Sequence, residues 1–283
     1  MKNNVLVKAP AKLNLFLRIL GKKKNNFHII RTGVTFLNLQ NKITISLSNK
    51  NNLSYSGPFR PISSIYKNDI IKKVLNNISK KKEFKVKINI EKNIPTQAGL
   101  GSASTDAASF IKGLQKLDLI NNIDNSFLNK IGSDVPICYY AQNCLATGTG
   151  NIINKKIDFP KYYFVLVNPN IQLSTSEMYS KIKNFIKFDK NYKKKFYNLN
   201  ALSINDKGND FEKIVKKEKK IISDLLNFLS NLNNNIFSRM TGSGACCYAV
   251  FKNRKNAKLA KNLILKKYPN YWIYLAENNI YNN

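Results

Sequence analysis

The stretch from Phe84 to Leu117 constrains this chain more than any other. Phe84-Lys85-Val86-Lys87-Ile88-Asn89-Ile90-Glu91 alternates apolar with polar side chains, the period of a half-buried strand. A loop holding Pro95, Gly99 and Gly101 follows, and Ser102 then opens a run with helical spacing of apolar residues to about Leu117. Strand, glycine loop and helix N-terminus in that order can form an anion site. The first-turn N–H groups lack intrahelical acceptors, and the helix dipole adds about half a positive charge. Gly99 and Gly101 let the backbone approach a ligand closely, while Ser102, Ser104 and Thr105 add hydroxyls. The loop matches neither G-x-x-x-x-G-K-[ST] nor G-x-G-x-x-G, and neither pattern occurs elsewhere in the chain. On its residues alone it fits a phosphate loop or an ordinary serine-capped helix after a glycine turn.

Around this unit the pattern predicts a mixture of strands and helices. Val5, Val7 and Ala9, then Leu13, Leu15 and Leu17, alternate with other residues as two strands or one strand bent at Pro10. Strands are expected over 33–39 and 42–48, and a helix from about Asn68 with Ile70, Ile71, Val74, Leu75 and Ile78 on one face. Short helices are expected over 125–131 and 134–140. Beyond Pro160 follow a strand (162–168), a helix (175–185), a Lys/Asn-rich stretch (187–200), helices over 209–217 and 219–232, a turn at Thr241–Gly244, a strand (245–251), a helix (254–266) and a strand (271–276). The 283 residues suit one large domain or two small ones. The predicted division falls near 158, into 1–158 with the glycine loop and 159–283 as a smaller α+β domain. The cleft between them is the natural ligand site.

Hydrophobic residues make up 43% and aromatics 11%, which excludes a disordered chain. No apolar run is long enough for a transmembrane helix. The first residues show no apolar signal core, so a cytoplasmic location is expected. Cys138, Cys144, Cys246 and Cys247 form no C-x-x-C pair and His28 is the only histidine. A zinc site is therefore not expected, and buried thiols are. Lys+Arg number 47 against 16 Asp+Glu, a net charge of +31. Such charge raises the prospect of a nucleic-acid binder. The lysines are dispersed, however, and accompany abundant Asn and Ile, residues that share A/T-rich codons. No specific nucleic-acid partner is expected, although anionic ligands should be attracted generally.

Three further segments join the loop in a family resemblance. Pro95-x-x-x-Gly99-Leu100-Gly101-Ser102-x-Ser104 resembles the nucleotide loop of the GHMP small-molecule kinases. Ala9-Pro10-Ala11-Lys12-Leu13-Asn14-Leu15-Phe16-Leu17, Gly132-Ser133-Asp134-Val135-Pro136 and Arg239-Met240-Thr241-Gly242-Ser243-Gly244-Ala245-Cys246 are similar to other motifs of that family, in the same order. The opening segment resembles the branch whose acceptor is the 2-hydroxyl of 4-diphosphocytidyl-2-C-methyl-D-erythritol. The resemblance implies a two-domain α+β GHMP fold with the active site in the inter-domain cleft, ATP as donor and Mg²⁺ to neutralise phosphate charge. By the same resemblance residues 95–105 (Pro95, Thr96, Gln97, Ala98, Gly99, Leu100, Gly101, Ser102, Ala103, Ser104 and Thr105) hold the nucleotide. Asp134 is implied as general base and Lys12 as charge stabiliser. Asn14 would orient a hydroxyl or phosphate. Phe27 would stack on cytosine, His28 would bond the base edge, and Thr175 and Tyr179 would serve its other side. Ser102 and Ala103 stand where this branch usually has two glycines, Asn26 replaces a glycine and Phe27 a tyrosine. Alternatives are a GHMP kinase for another alcohol, such as homoserine, and a basic nucleic-acid-binding protein. Monomer and homodimer both stay open.

Overall fold

The computed structural model describes residues 3–23, 27–61, 69–78, 84–154, 159–182, 185 and 208–278. The expected boundary near 158, the stretch 187–200, Asn25 and Asn26 lie outside the described residues. The chain forms two compact units, each assembled from several stretches: Met1–Lys12, Leu39–Thr96 and Gly101–Ala141 in one, Leu13–Asn38, Gln97–Leu100 and Gln142–Asn283 in the other.

Two long strands, β1 (Asn4–Lys22) and β2 (His28–Leu47), thread both units and pair with each other. Both are longer than their sequence suggests. Pro10 does not break β1: among the described strands β1 pairs with β2 alone, and a strand at the edge of a sheet tolerates proline. Gln40 and Asn41 do not end β2 either: Asn41 is fully buried, and its side chain bonds groups outside the strand.

In the first unit the end of β2 pairs antiparallel with β4 (Val86–Glu91), and β3 (Asn52–Ser56) lies parallel to β4. Among the described residues four helices complete it: α1 (Ile70–Ile78), α2 (Ser102–Lys116), α3 (Asn125–Ile131) and α4 (Val135–Tyr140). Val86, Ile88 and Ile90 are buried on one face of β4 and share the core with Ile45, Phe110, Ile111 and Leu114. Gly113 lets α2 approach β2, because a Cβ there would collide with Ile45 Cδ1.

In the second unit the start of β2 pairs with β5 (Cys144–Gly148), which pairs with β6 (Ile152–Asn154). A separate antiparallel sheet has the order β10-β7-β9-β8, with β7 Tyr163–Asn168, β8 Ser238–Met240, β9 Cys247–Phe251 and β10 Trp272–Glu277. β7 is central, and its run Phe164-Val165-Leu166-Val167 is wholly buried. Among the described residues its helices are α5 (Thr175–Ser180), α6 (Asp210–Glu218), α7 (Lys220–Ser230) and α8 (Arg254–Lys267). The described α5 ends at Ser180, short of the expected 185. Phe211, Val215, Leu225, Leu229 and Ile264 pack with Val165 and Val167 as its core. All four cysteines are buried; burial pushes the Cys246 thiol up to about 12. The β3, β5, β6 and β8 strands had no strong alternation to mark them. The α+β class is as expected.

Candidate active site

Within the first unit, Lys12 on β1 and Asp134 before α4 meet. Lys12 Nζ donates to Asp134 Oδ2 at 2.8 Å. The Lys12 side chain is 6% exposed and that of Asp134 34%. Asp134 sits at the N-cap position of α4, yet its side chain makes no capping bond. Asp134 thus uses its carboxylate for an ion pair across 122 residues of sequence and not for its own helix.

Gly101 and the start of α2 stand beside this pair. Gly101 takes a left-handed φ of 67° and has no side chain to cap α2. A Cβ at Gly101 would come 3.1 Å from Lys12 Cβ, so glycine admits the lysine stem there. Thr105 N–H donates to Gly101 O at 2.9 Å. The N–H groups of Ser102, Ala103 and Ser104 precede the first residue able to bond within the helix, so they carry its positive end. Ser102 is buried, Ser104 half-buried and Ala103 exposed. The Thr105 hydroxyl is buried, with no hydrogen-bond partner among the described residues. Pro95 is buried; Thr96 and Gln97 are exposed, Gln97 at a φ of 53°.

A buried network lies behind the loop. Lys92 Nζ donates to Ser102 Oγ at 2.6 Å and to Asp106 Oδ2. Asn41 Nδ2 donates to Asp106 Oδ1 at 2.7 Å, and Asn41 Oδ1 accepts from Asn93 N and Ile94 N, each at 2.8 Å. Burial pushes the Asp106 carboxyl up, against the pull of Lys92 and Asn41. The strand leading into the loop and the helix leaving it are thus held together.

Within the second unit, the middle of the loop meets the 240–246 turn. Ala98 O accepts from Cys246 N at 3.3 Å. Thr241 Oγ1 donates to Gly99 O at 3.2 Å and accepts from Asn14 N at 3.1 Å. Gly99 has a φ of 73°, and a Cβ there would collide with Thr241 O. Asn14 Nδ2 donates to Thr32 Oγ1 at 2.7 Å, and Thr32 Oγ1 donates to Phe16 O at 2.6 Å.

The expected base-binding residues divide. His28 stacks on Tyr179 with centroids 4.7 Å apart, and Phe185 lies 6.2 Å from His28. Tyr179 rests edge-on against Phe211 at 4.9 Å. Phe27 is 59% exposed. Burial and the positive charge of Lys22 hold the His28 imidazole below its usual range. Thr175 is exposed, and its Oγ1 lies 2.8 Å from Ser243 Oγ. Thr241, Ser243, Thr32 and Phe185 are the polar and aromatic groups that the sequence reading did not single out. Thr241 and Ser243 lie in the motif already noted, but nothing local signals their partners.

Comparison with known proteins decides the family. Residues 69–142 match the GHMP kinases N-terminal domain model and 182–270 the GHMP kinases C-terminal model. A 4-diphosphocytidyl-2-C-methyl-D-erythritol kinase of Prochlorococcus marinus (strain NATL2A) is 32% identical over 94% of this chain and 89% of its own length. The chain belongs to the GHMP kinase family. Another relative of the same name, from Wolbachia sp. subsp. Brugia malayi (strain TRS), is 33% identical to this GHMP kinase over 96% of the chain and 97% of its own length. Among solved structures, a 4-(cytidine 5'-diphospho)-2C-methyl-D-erythritol kinase superposes with a TM-score of 0.79 at 20% identity, covering 97% of this chain and 100% of that one. Homoserine kinase from Cytophaga hutchinsonii gives a TM-score of 0.71 at 15% identity over 99% of this chain and 95% of that one. At such identities the two structures establish the shared fold.

Proposed function

We propose that this GHMP kinase transfers the γ-phosphoryl group of ATP to the 2-hydroxyl of 4-diphosphocytidyl-2-C-methyl-D-erythritol, a step of isoprenoid precursor synthesis. The observation that carries the mechanism is the Lys12–Asp134 contact of 2.8 Å on a carboxylate that water reaches. Phosphoryl transfer rests on positioning and charge stabilisation. Asp134 accepts the proton of the attacking hydroxyl, and Lys12 balances the charge on Asp134 and on the reacting oxygens. The N-terminal turn of α2 receives the phosphates, with Ser104 adding a hydroxyl. Asn14 orients the acceptor.

Among the described residues no group of three His, Cys, Asp or Glu side chains comes together. Mg²⁺ in kinases is carried largely by phosphates with one or two protein oxygens, and the Ser104 hydroxyl in the first turn of α2 would supply one. When bound, Mg²⁺ neutralises β/γ-phosphate charge.

The names of the relatives support the cytidyl acceptor, as does the aromatic group of His28, Tyr179 and Phe185. Phe27 supplies an exposed ring for stacking, neutral His28 bonds the base edge, and Thr175 adds a hydroxyl. The division near residue 158 and a cytoplasmic location belong to the same proposal. No described helix is long and apolar enough to cross a membrane.

The test is ADP release with ATP, Mg²⁺ and the cytidyl alcohol, with homoserine as control. Turnover on the cytidyl alcohol alone is expected. Turnover only on homoserine overturns the acceptor assignment and leaves the kinase.

A further inference from the structure

Asn209 is 5% exposed, and both ends of its amide are used. Its Oδ1 accepts from Phe211 N at 3.0 Å and caps α6. Its Nδ2 donates to Met240 O at 2.7 Å and to Gly242 O at 2.8 Å. One end faces an N–H and the other two carbonyls, so the side-chain orientation is determined by its partners. Neighbouring residues hold β8 and β1: Glu212 Oε1 accepts from Met240 N at 2.8 Å, and Asp210 Oδ2 from Ile19 N at 2.7 Å.

The segment held in this way reaches the loop. Thr241, between the two gripped carbonyls, uses its hydroxyl on Asn14 N–H and Gly99 O. Gly242 has a φ of 54°, and a Cβ there would lie 3.1 Å from Gly99 O and 3.3 Å from Asn14 Oδ1. A displacement of Met240–Gly242 therefore displaces the support of both Gly99 and Asn14.

We propose that Asn209 is a positioning residue for phosphoryl transfer: its two amide N–H bonds hold Met240–Gly242 so that Thr241 and Gly242 set the places of Gly99 and Asn14. This rests on the reading of residues 95–105 as the nucleotide loop and of Asn14 as an acceptor residue. The cap and the grip are separable chemically. Serine accepts from a first-turn N–H as well as asparagine does, but cannot donate two N–H bonds.

Asn209→Ser therefore keeps the cap and removes the grip. Small misplacements of reacting groups cost up to about a hundredfold. Asn209→Ser is expected to lower kcat/KM for ATP by about 10- to 100-fold with the melting temperature within a few degrees of wild type. Thr241→Val, which removes the hydroxyl and keeps the shape, should show a similar loss, Thr241→Ser should restore activity, and Asn209→Ser/Thr241→Val should be little worse than the poorer single variant. A folded Asn209→Ser enzyme within twofold of wild type overturns the proposal, and so do strictly additive losses. Should Asn209→Ser fail to fold, the Thr241 pair decides: rescue by serine supports the relay, and a wild-type-like Thr241→Val overturns it. Should the wild type not turn over the cytidyl alcohol, the acceptor reading fails on its own. The relay is then read from Mg²⁺-ATP affinity by calorimetry, where about tenfold weakening in Asn209→Ser supports it and unchanged affinity overturns it.

Discussion

Lys12–Asp134 and Lys92–Asp106 are two ammonium–carboxylate contacts in the same unit, but water reaches only one of the carboxylates. The side chain of Asp134 is 34% exposed, whereas those of Lys92 and Asp106 are 5% and 4% exposed. Asp106 is bonded by Lys92 and Asn41 and has no opening for a ligand. Asp134 is paired on one oxygen by Lys12 and is partly open to water, as the proton acceptor proposed above must be. The comparison teaches that pairing alone does not separate the carboxylate proposed as general base from one sealed inside the fold. Access separates them, together with what else each pair holds: Lys92 and Asp106 tie the strand before the loop to the helix after it.

Four experiments can break or sharpen this contrast. The largest effect is expected at the open pair. Asp134→Asn should lower kcat by about 10²–10⁴-fold while circular dichroism and thermal melting stay close to wild type, because a partly exposed pair contributes little to stability. A large loss of melting temperature would show that Asp134 is structural, like Asp106.

Next comes the sealed pair. Removing one partner of a buried ion pair costs about 3–5 kcal/mol, so Asp106→Leu should unfold at a much lower denaturant midpoint. Lys92→Met/Asp106→Leu should recover much of that loss, since an apolar pair leaves no buried charge. Equal stability of the single and double variants would remove Lys92 from the network.

A smaller effect is expected at His28. Its pKa lies below the ordinary 6.5, through burial first and Lys22 second. A depressed histidine stays neutral at and just below 6.5, so KM for the cytidyl substrate should be level from about pH 8 through that point and rise only in more acid solution. The stability increment linked to neutral His28 is likewise present above its unfolded pKa and lost as pH falls through the folded one. Lys22→Gln removes the like charge and should move the inflection upward. A profile unchanged by that substitution would show that burial alone sets it.

The smallest effect is expected for Lys220–Asp224 on α7, an i,i+4 pair at 2.7 Å whose side chains are 87% and 52% exposed. Asp224→Ala should change the unfolding free energy by no more than about 0.5 kcal/mol and leave activity untouched. A larger change would weaken the argument from access.

Much of the first unit was legible locally. The alternation over 84–91 became β4 at Val86–Glu91, and the helical spacing after Gly101 became α2 at Ser102–Lys116, because strand and helix periods are written in neighbouring residues. The break expected at Gln40-Asn41 did not occur. A polar residue inside an apolar alternation usually marks a turn, but Asn41 is buried with its side chain bonded to Asn93, Ile94 and Asp106. Asn209 likewise reads locally as a helix cap and nothing more.

By itself the sequence determined the secondary-structure periods and the glycine loop that can receive an anion; Lys12 and Asp134 became candidates through the family resemblance. Only the tertiary structure decided which partner each polar side chain takes. It turned Asp134 toward Lys12 instead of its own helix, and gave the Thr241 hydroxyl to Asn14, 227 residues away. The reason is physical. Periodicity reports which face of an element is apolar, whereas a hydrogen bond depends on positions within a few tenths of an ångström, set only when distant segments pack.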